Sequence, residues 1–174
     1  MIGITERGDA SLNDSWIKWV KNDKKPTILI TKSPSRLIEK ILKPNELLYK
    51  NPNFIVHCTI TGLGGTVYEP NVKDFKEELE NLIELSKNLG EEHIVLRIDP
   101  ILPYNIEPAL EVLNKARKLG FNGRYRISFL DLYKHVVERF LKNGIGIPKI
   151  YKKDGVYSLH APLYLRRSIV KKYF

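Results

Sequence analysis

Apolar positions along the chain follow two rhythms. Short runs rich in Ile, Val, Leu, Thr or Phe predict strands at Ile2–Arg7, Thr27–Lys32, Phe54–Thr61, Ile94–Ile98 and Tyr125–Leu130. Between them the spacing turns helical. Leu12–Asn22 follows Ser11 and precedes the breaker Pro26, and Ser35–Leu42 lies between Pro34 and Pro44. Asp74–Asn88 sets Phe75, Leu79, Leu82, Ile83 and Leu85 close to helical spacing and stops at Gly90. Ile106–Leu119 ends at Gly120, with Pro108 suited to its first turn, and Leu132–Asn143 ends at Gly144.

Such regular alternation predicts an α/β fold: a parallel sheet of about five to six strands with right-handed helical crossovers. Two architectures satisfy it, a doubly wound open sheet and an incomplete (β/α) barrel, a partial TIM barrel. Residues 1–148 are expected to form this domain. Residues 149–174 are expected to form a basic C-terminal extension packed on it, with a strand at Val156–Leu159 and a last helix near Leu165–Tyr173.

Strand period then separates the polar residues from the apolar ones. His57, Thr59 and Thr61 share one face of the third strand, opposite Phe54, Val56, Cys58 and Ile60. Arg97 and Asp99 oppose Leu96 and Ile98, and Arg126 and Ser128 oppose Ile127 and Phe129. A parallel strand covered on both sides is apolar on both, so a polar inner face favours the incomplete barrel, with a ligand at its mouth.

Ligands of parallel α/β folds sit at the carboxyl ends of the strands. Those ends carry Glu6, Arg7 and Asp9; Lys32; Thr59 and Thr61; Arg97 and Asp99; Arg126, Ser128 and Asp131. The glycine-rich Gly62–Thr66 loop lacks P-loop and dinucleotide-fingerprint spacing; Glu69 and Asn71 follow it. Asp99, Glu69 and His57 are the candidate proton carriers, and the others are candidate ligand contacts. Structural readings stand beside these: an Arg97–Asp99 ion pair, a satisfied core histidine at His57, a self-paired loop at Glu6–Asp9, and Asp131 as cap of the helix from Leu132. No metal-ligand spacing is present.

With 174 residues, the chain is long enough for one domain with its own core. No run of 18 apolar residues exists, so no membrane span is expected, and Met1–Glu6 does not read as a secretory signal. A cytoplasmic setting is expected. One cysteine, Cys58, excludes an internal disulfide framework. The net charge of +9 is uneven: residues 149–174 hold seven Lys and Arg against Asp154 alone. Lys149, Lys152, Lys153, Arg166, Arg167, Lys171 and Lys172 are candidate nucleic-acid contacts, and Phe121, Tyr151, Tyr157, Tyr164 and Tyr173 are possible stacking groups. A solvated, solubilising tail is the plainer reading.

Several blocks together resemble a known family. Ile4-Thr5-Glu6-Arg7-Gly8-Asp9-Ala10, Thr59-Ile60-Thr61-Gly62-Leu63-Gly64-Gly65-Thr66, Glu69-Pro70-Asn71-Val72, Leu96-Arg97-Ile98-Asp99-Pro100-Ile101-Leu102-Pro103 and Ser128-Phe129-Leu130-Asp131-Leu132-Tyr133 occur in the order seen in radical-SAM-like partial barrels. These are labelled DNA-repair-photolyase-like, by similarity to spore photoproduct lyase. The resemblance covers about Ile2 to His135 and implies a partial barrel with its site at the strand ends. It departs where the family chemistry needs three cysteines in Cys-x-x-x-Cys-x-x-Cys; this chain alone cannot ligate a [4Fe–4S] cluster, and its cofactor is left open.

Three functions follow as expectations. The first is a nucleic-acid-associated protein, acting in DNA repair or base modification without its own cluster. The second is a small-molecule enzyme or binding protein for a phosphate or carboxylate ligand. The third is one subunit of a split enzyme, with a homodimer or partner subunit covering an open barrel edge.

Overall fold

Five strands join edge to edge in the order in which the chain makes them. The structure is a computed structural model and describes residues 2–4, 8–22, 25–42, 53–102, 106–154 and 158–173. Strands β1 (Ile2–Ile4), β2 (Thr27–Thr31), β3 (Phe54–Thr59), β4 (Ile94–Ile101) and β5 (Arg124–Phe129) pair in parallel as β1-β2-β3-β4-β5. Helices α1 (Ser15–Asn22), α2 (Pro34–Leu42), α3 (Phe75–Leu89) and α4 (Ile106–Lys118) fill the crossovers. The chain is thus a mixed α/β protein whose parallel sheet alternates with helices. Its strand order contains no reversal of the kind that marks a doubly wound sheet.

One core holds the helices to the sheet. Leu29, Val56, Cys58, Ile60, Ile94, Leu96 and Ile98 share a sheet face and pack with Trp16, Leu37, Leu79, Leu82, Val112 and Leu113 of the four helices. Truncating such a leucine to alanine costs about 2–5 kcal/mol. Pairing register places the residues between these on the opposite face, where the polar side chains lie.

Local chemistry moves several boundaries. The first helix is interrupted: Ala10–Leu12 forms a 3-10 turn capped by Asp9, and Asn13 then accepts from Ser15 N–H at 3.2 Å, so α1 starts at Ser15. β4 runs to Ile101, past the predicted Ile98. The helix predicted from Leu132 begins at Lys134, because Leu132–Tyr133 forms a short strand, β6, paired with β8 (Ser158–His160). With β7 (Lys152–Asp154) these make a second, antiparallel sheet, β6-β8-β7. The strand expected at Val156–Leu159 is this β8; Val156 and Tyr157 lie outside the described residues.

The small sheet has its own core. Leu132, Tyr151 and Ala161 are buried and gather Val136, Val137 and Phe140 of α5 (Lys134–Lys142), with Ile147, Ile150 and Leu159. The last helix, α6 (Leu163–Tyr173), starts two residues earlier than expected, where Leu165 and Arg166 N–H groups donate to the Pro162 carbonyl. Among the described residues, no helix is long and apolar enough to cross a membrane.

Candidate functional site

The polar sheet face is built in rungs. Ile30, His57, Val95 and Arg124 lie in register across β2–β5, and Thr59, Arg97 and Arg126 form the next rung toward the carboxyl ends. A cleft of about 390 Å³ opens there, lined by Gly8, Asp9, Ile30, Thr31, Lys32, Thr59, Arg97, Asp99 and Pro100. That volume lies within the range of small-molecule sites.

Three carboxylates around the cleft are each held on both oxygens. Asp9 accepts from Ser11 N–H at 2.8 Å and Thr31 Oγ1 at 2.7 Å on one oxygen, and from Lys32 N–H at 2.6 Å on the other. Burial by itself would raise the Asp9 pKa. The Lys32 amide, the Thr31 hydroxyl and Ser11 outweigh burial and hold it below the usual value. Asp99 accepts from Arg97 on one oxygen and from Ser128 Oγ on the other. Glu69 pairs with Lys32 Nζ and takes the Thr61 hydroxyl on its second oxygen.

The loop after β3 explains how Glu69 reaches that position. Gly65 N–H donates to the Glu69 carbonyl at 3.1 Å, Glu69 N–H to Thr66 O at 3.1 Å, and Thr66 Oγ1 to Leu63 O at 2.6 Å. Gly64 bridges Glu69 and must be glycine, since a Cβ there would stand 1.9 Å from the Lys73 carbonyl oxygen. Gly64 therefore permits the close backbone approach that folds Glu69 back over the strand ends.

The cations are less fully matched. Arg97 pairs with Asp99, yet its Nε is buried without a partner among the described residues. Arg126, its register neighbour, makes no hydrogen bond or ion pair among the described residues. Arg124 donates to the Glu92 carbonyl at 2.8 Å. His57 is 9% exposed, and its Nδ1 has no partner among the described residues. Burial, followed by the charges of Arg97, Arg126 and Arg124, pushes its pKa down to about 4, so the ring is neutral at neutral pH.

The structure thus gathers Asp9, Lys32, Thr59, Arg97 and Asp99 at one cleft. It sets Thr61 and Glu69 beside them through Lys32, and His57, Arg126 and Ser128 on the same face. Glu6 and Arg7 lie outside the described residues. Asn71 is exposed in the turn beyond Glu69. Asp131 does not cap a helix; its Oδ1 meets His160 Nδ1 at 2.5 Å, and α5 begins three residues later.

In the basic segment, Lys149, Arg167, Lys171 and Lys172 are exposed, whereas Arg166 is half-buried and donates from Nε to Ala161 O at 2.7 Å. Lys152 and Lys153 belong to β7. Of the candidate stacking groups, Phe121 and Tyr151 are buried, with Tyr151 Oη donating to Leu130 O, and Tyr164 is 63% exposed. Tyr157 is outside the described residues.

A buried carboxylate escaped the sequence reading. Glu78 of α3 is 1% exposed and accepts from Ser35 N–H at 2.8 Å, Ser35 Oγ at 2.9 Å and Ser33 Oγ at 3.2 Å at the start of α2. Its signal is positional: Glu78 falls inside the stripe Phe75, Leu79, Leu82, where a charge needs a partner.

Among the described residues, no group of three His, Cys, Asp or Glu side chains stands ready to share a metal. The side chains do not fit an iron–sulfur cluster. Cys58 is the only cysteine in the sequence, lies fully buried on the apolar face, and has its thiol pushed far up by burial and by the charges of Glu78 and Asp9.

Comparison with known proteins adds one finding. No curated protein and no solved structure matches the chain. The family model described as "Domain of unknown function (DUF1848)" matches residues 11–161, most of the chain, and the protein therefore belongs to the DUF1848 family.

Proposed function

We propose that the protein binds a small anionic ligand, phosphate or carboxylate, at the carboxyl ends of its parallel strands, and that the sheet is the wall of an incomplete (β/α) barrel. The observation that carries the reading is the Arg97–Arg126 pair. The two occupy neighbouring strands in register, where backbones lie about 4.8 Å apart. Like charges so placed repel. Among the described residues Asp99 compensates Arg97 alone, the Arg97 Nε is buried without an acceptor, and the exposed Arg126 guanidinium has no protein acceptor. An anion above them supplies the missing acceptors.

In this reading Asp99 and Glu69 are positioning residues. With both oxygens engaged, they orient Arg97 and Lys32 instead of accepting from ligand. The barrel form is supported by the sequential strand order, by the helices packing on one face, and by the polar character of the other. The likeness to radical-SAM-type barrels supports only the location of the site. A thermal-shift series with phosphate, citrate, nucleoside monophosphates and matched chloride tests the reading. Oxyanions should raise Tm well beyond chloride at equal ionic strength; equal shifts would count against it.

A second reading, nucleic-acid association, rests on α6, where Tyr164, Arg167 and Lys171 are all exposed. Oligonucleotide affinity that falls steeply with salt and drops in an Arg167→Ala, Lys171→Ala double variant would favour it. Binding independent of salt or of these residues would remove it.

A further inference from the structure

We propose that the anion accepted by this site is a tetrahedral dianion, a phosphoryl or sulfuryl group, and that His57 takes up a proton from solvent when it binds. The inference rests on the anion-binding reading above and specifies its ligand.

Among the described residues, two buried polar atoms without a partner, His57 Nδ1 and Arg97 Nε, and the exposed, unpaired Arg126 guanidinium lie within two adjacent rungs of one sheet face. They come from three different strands. A carboxylate presents two oxygens in one plane, whereas a tetrahedral group presents oxygens in several directions and matches donors converging from separate strands.

Charge points the same way. Among the described residues, Lys32, Arg97, Arg124 and Arg126 stand on this face against Asp9, Glu69 and Asp99, an excess of one positive charge. A dianion would overshoot it by one. Protonation of one neutral group restores balance, and His57 is the neutral titratable group on these rungs.

The groups facing His57 explain why its proton depends on the ligand. From β4 come Arg97 and, one rung further, Asp99; from β5 come Arg124 and Arg126; from the end of β2 comes Lys32, already paired with Glu69. Its nearest neighbours on β2 and β4, Ile30 and Val95, are apolar. The field on the free ring is therefore dominated by arginines and disfavours the imidazolium. An anion seated among them cancels that field and accepts a hydrogen bond from the charged ring, which favours it.

Sulfate is the probe, because it remains a dianion across the working range and leaves only the protein to titrate. His57 is followed by NMR as a function of pH with and without sulfate. Its resonance is identified by elimination, using His93→Gln, His135→Gln and His160→Gln variants that leave His57 intact. The free ring is expected to stay neutral to about pH 4. Saturating sulfate should raise its midpoint by about one pH unit or more, and sulfate affinity should fall by up to about tenfold per pH unit between the free and bound midpoints. Arg126→Gln should abolish both effects, and Arg126→Lys should keep part of them. Sulfate binding with an unmoved His57 midpoint would overturn the proton uptake and leave the anion site standing. Failure of sulfate and phosphate alike to bind at any pH would overturn the anion site itself. Phosphate binding without sulfate binding would overturn the general tetrahedral-dianion assignment.

Discussion

Arg97 and Arg126 face one another across β4 and β5 in direct register, and among the described residues only Arg97 has a carboxylate partner. The pair is tolerable because Arg97 is tied to Asp99, which Ser128 holds from the neighbouring strand β5. Arg126 lies exposed within β5, in register with Thr59 at the carboxyl end of β3, and its charge has no partner among the described residues.

This arrangement predicts an unusual sign for one substitution. In anion-free, low-salt buffer, Arg126→Gln should leave stability unchanged or raise it by about 0.2–1 kcal/mol, since it removes a like-charge neighbour. With phosphate present the order should reverse. Chemical denaturation of both proteins, with and without phosphate, checks it.

Asp9 should behave oppositely. Its carboxylate joins the loop after β1 to the end of β2 through Lys32 N–H and Thr31 Oγ1, so Asp9→Ala should cost about 1.5–3 kcal/mol. Because its folded pKa lies below the ordinary 3.8, the stability linked to its ionisation is complete above the unfolded pKa. That stability is lost as pH falls through the lower folded value. Denaturation between about pH 6 and 2.5 should show wild-type stability converging toward that of Asp9→Ala at the acid end.

Glu78 predicts a purely structural loss. Glu78→Ala removes the acceptor for Ser35 N–H and both serine hydroxyls and should destabilise by about 1–3 kcal/mol. Phosphate affinity of the folded fraction should stay within about twofold of wild type, because the carboxylate serves α2 and not the cleft. Melting curves and titration calorimetry on the same sample separate the two quantities.

Local features of this site are legible in the sequence, and those that depend on distant parts of the chain are not. Alternation placed His57, Thr59, Arg97, Asp99, Arg126 and Ser128 on one sheet face because strand period is a local property. The Lys32–Glu69 pair was not readable. It spans 37 residues and depends on how the Gly62–Asn71 loop folds back. The spacing predicts helix through β6 because Leu132 and Tyr133 carry no local signal against it; only pairing with Ser158 and Leu159 makes them a strand. Glu78 likewise needs α2 beside it before its burial makes sense.

The loop yields a further expectation. Gly64→Ala would force its Cβ against the Lys73 carbonyl, displacing the segment that carries Glu69. Phosphate affinity should fall about tenfold or more while Glu69→Gln, which keeps the loop, falls less. Titration of both variants with phosphate gives the ranking, and equal losses would mean the loop matters only through the Glu69 charge.

The most direct measurement is calorimetric titration of phosphate into the wild-type protein, Arg126→Gln and Arg126→Lys in low-salt buffer. The proposed site requires saturable binding to wild type, a loss of about tenfold or more in Arg126→Gln, and partial retention in Arg126→Lys. Equal affinity in all three, or no saturable binding to wild type, would contradict it.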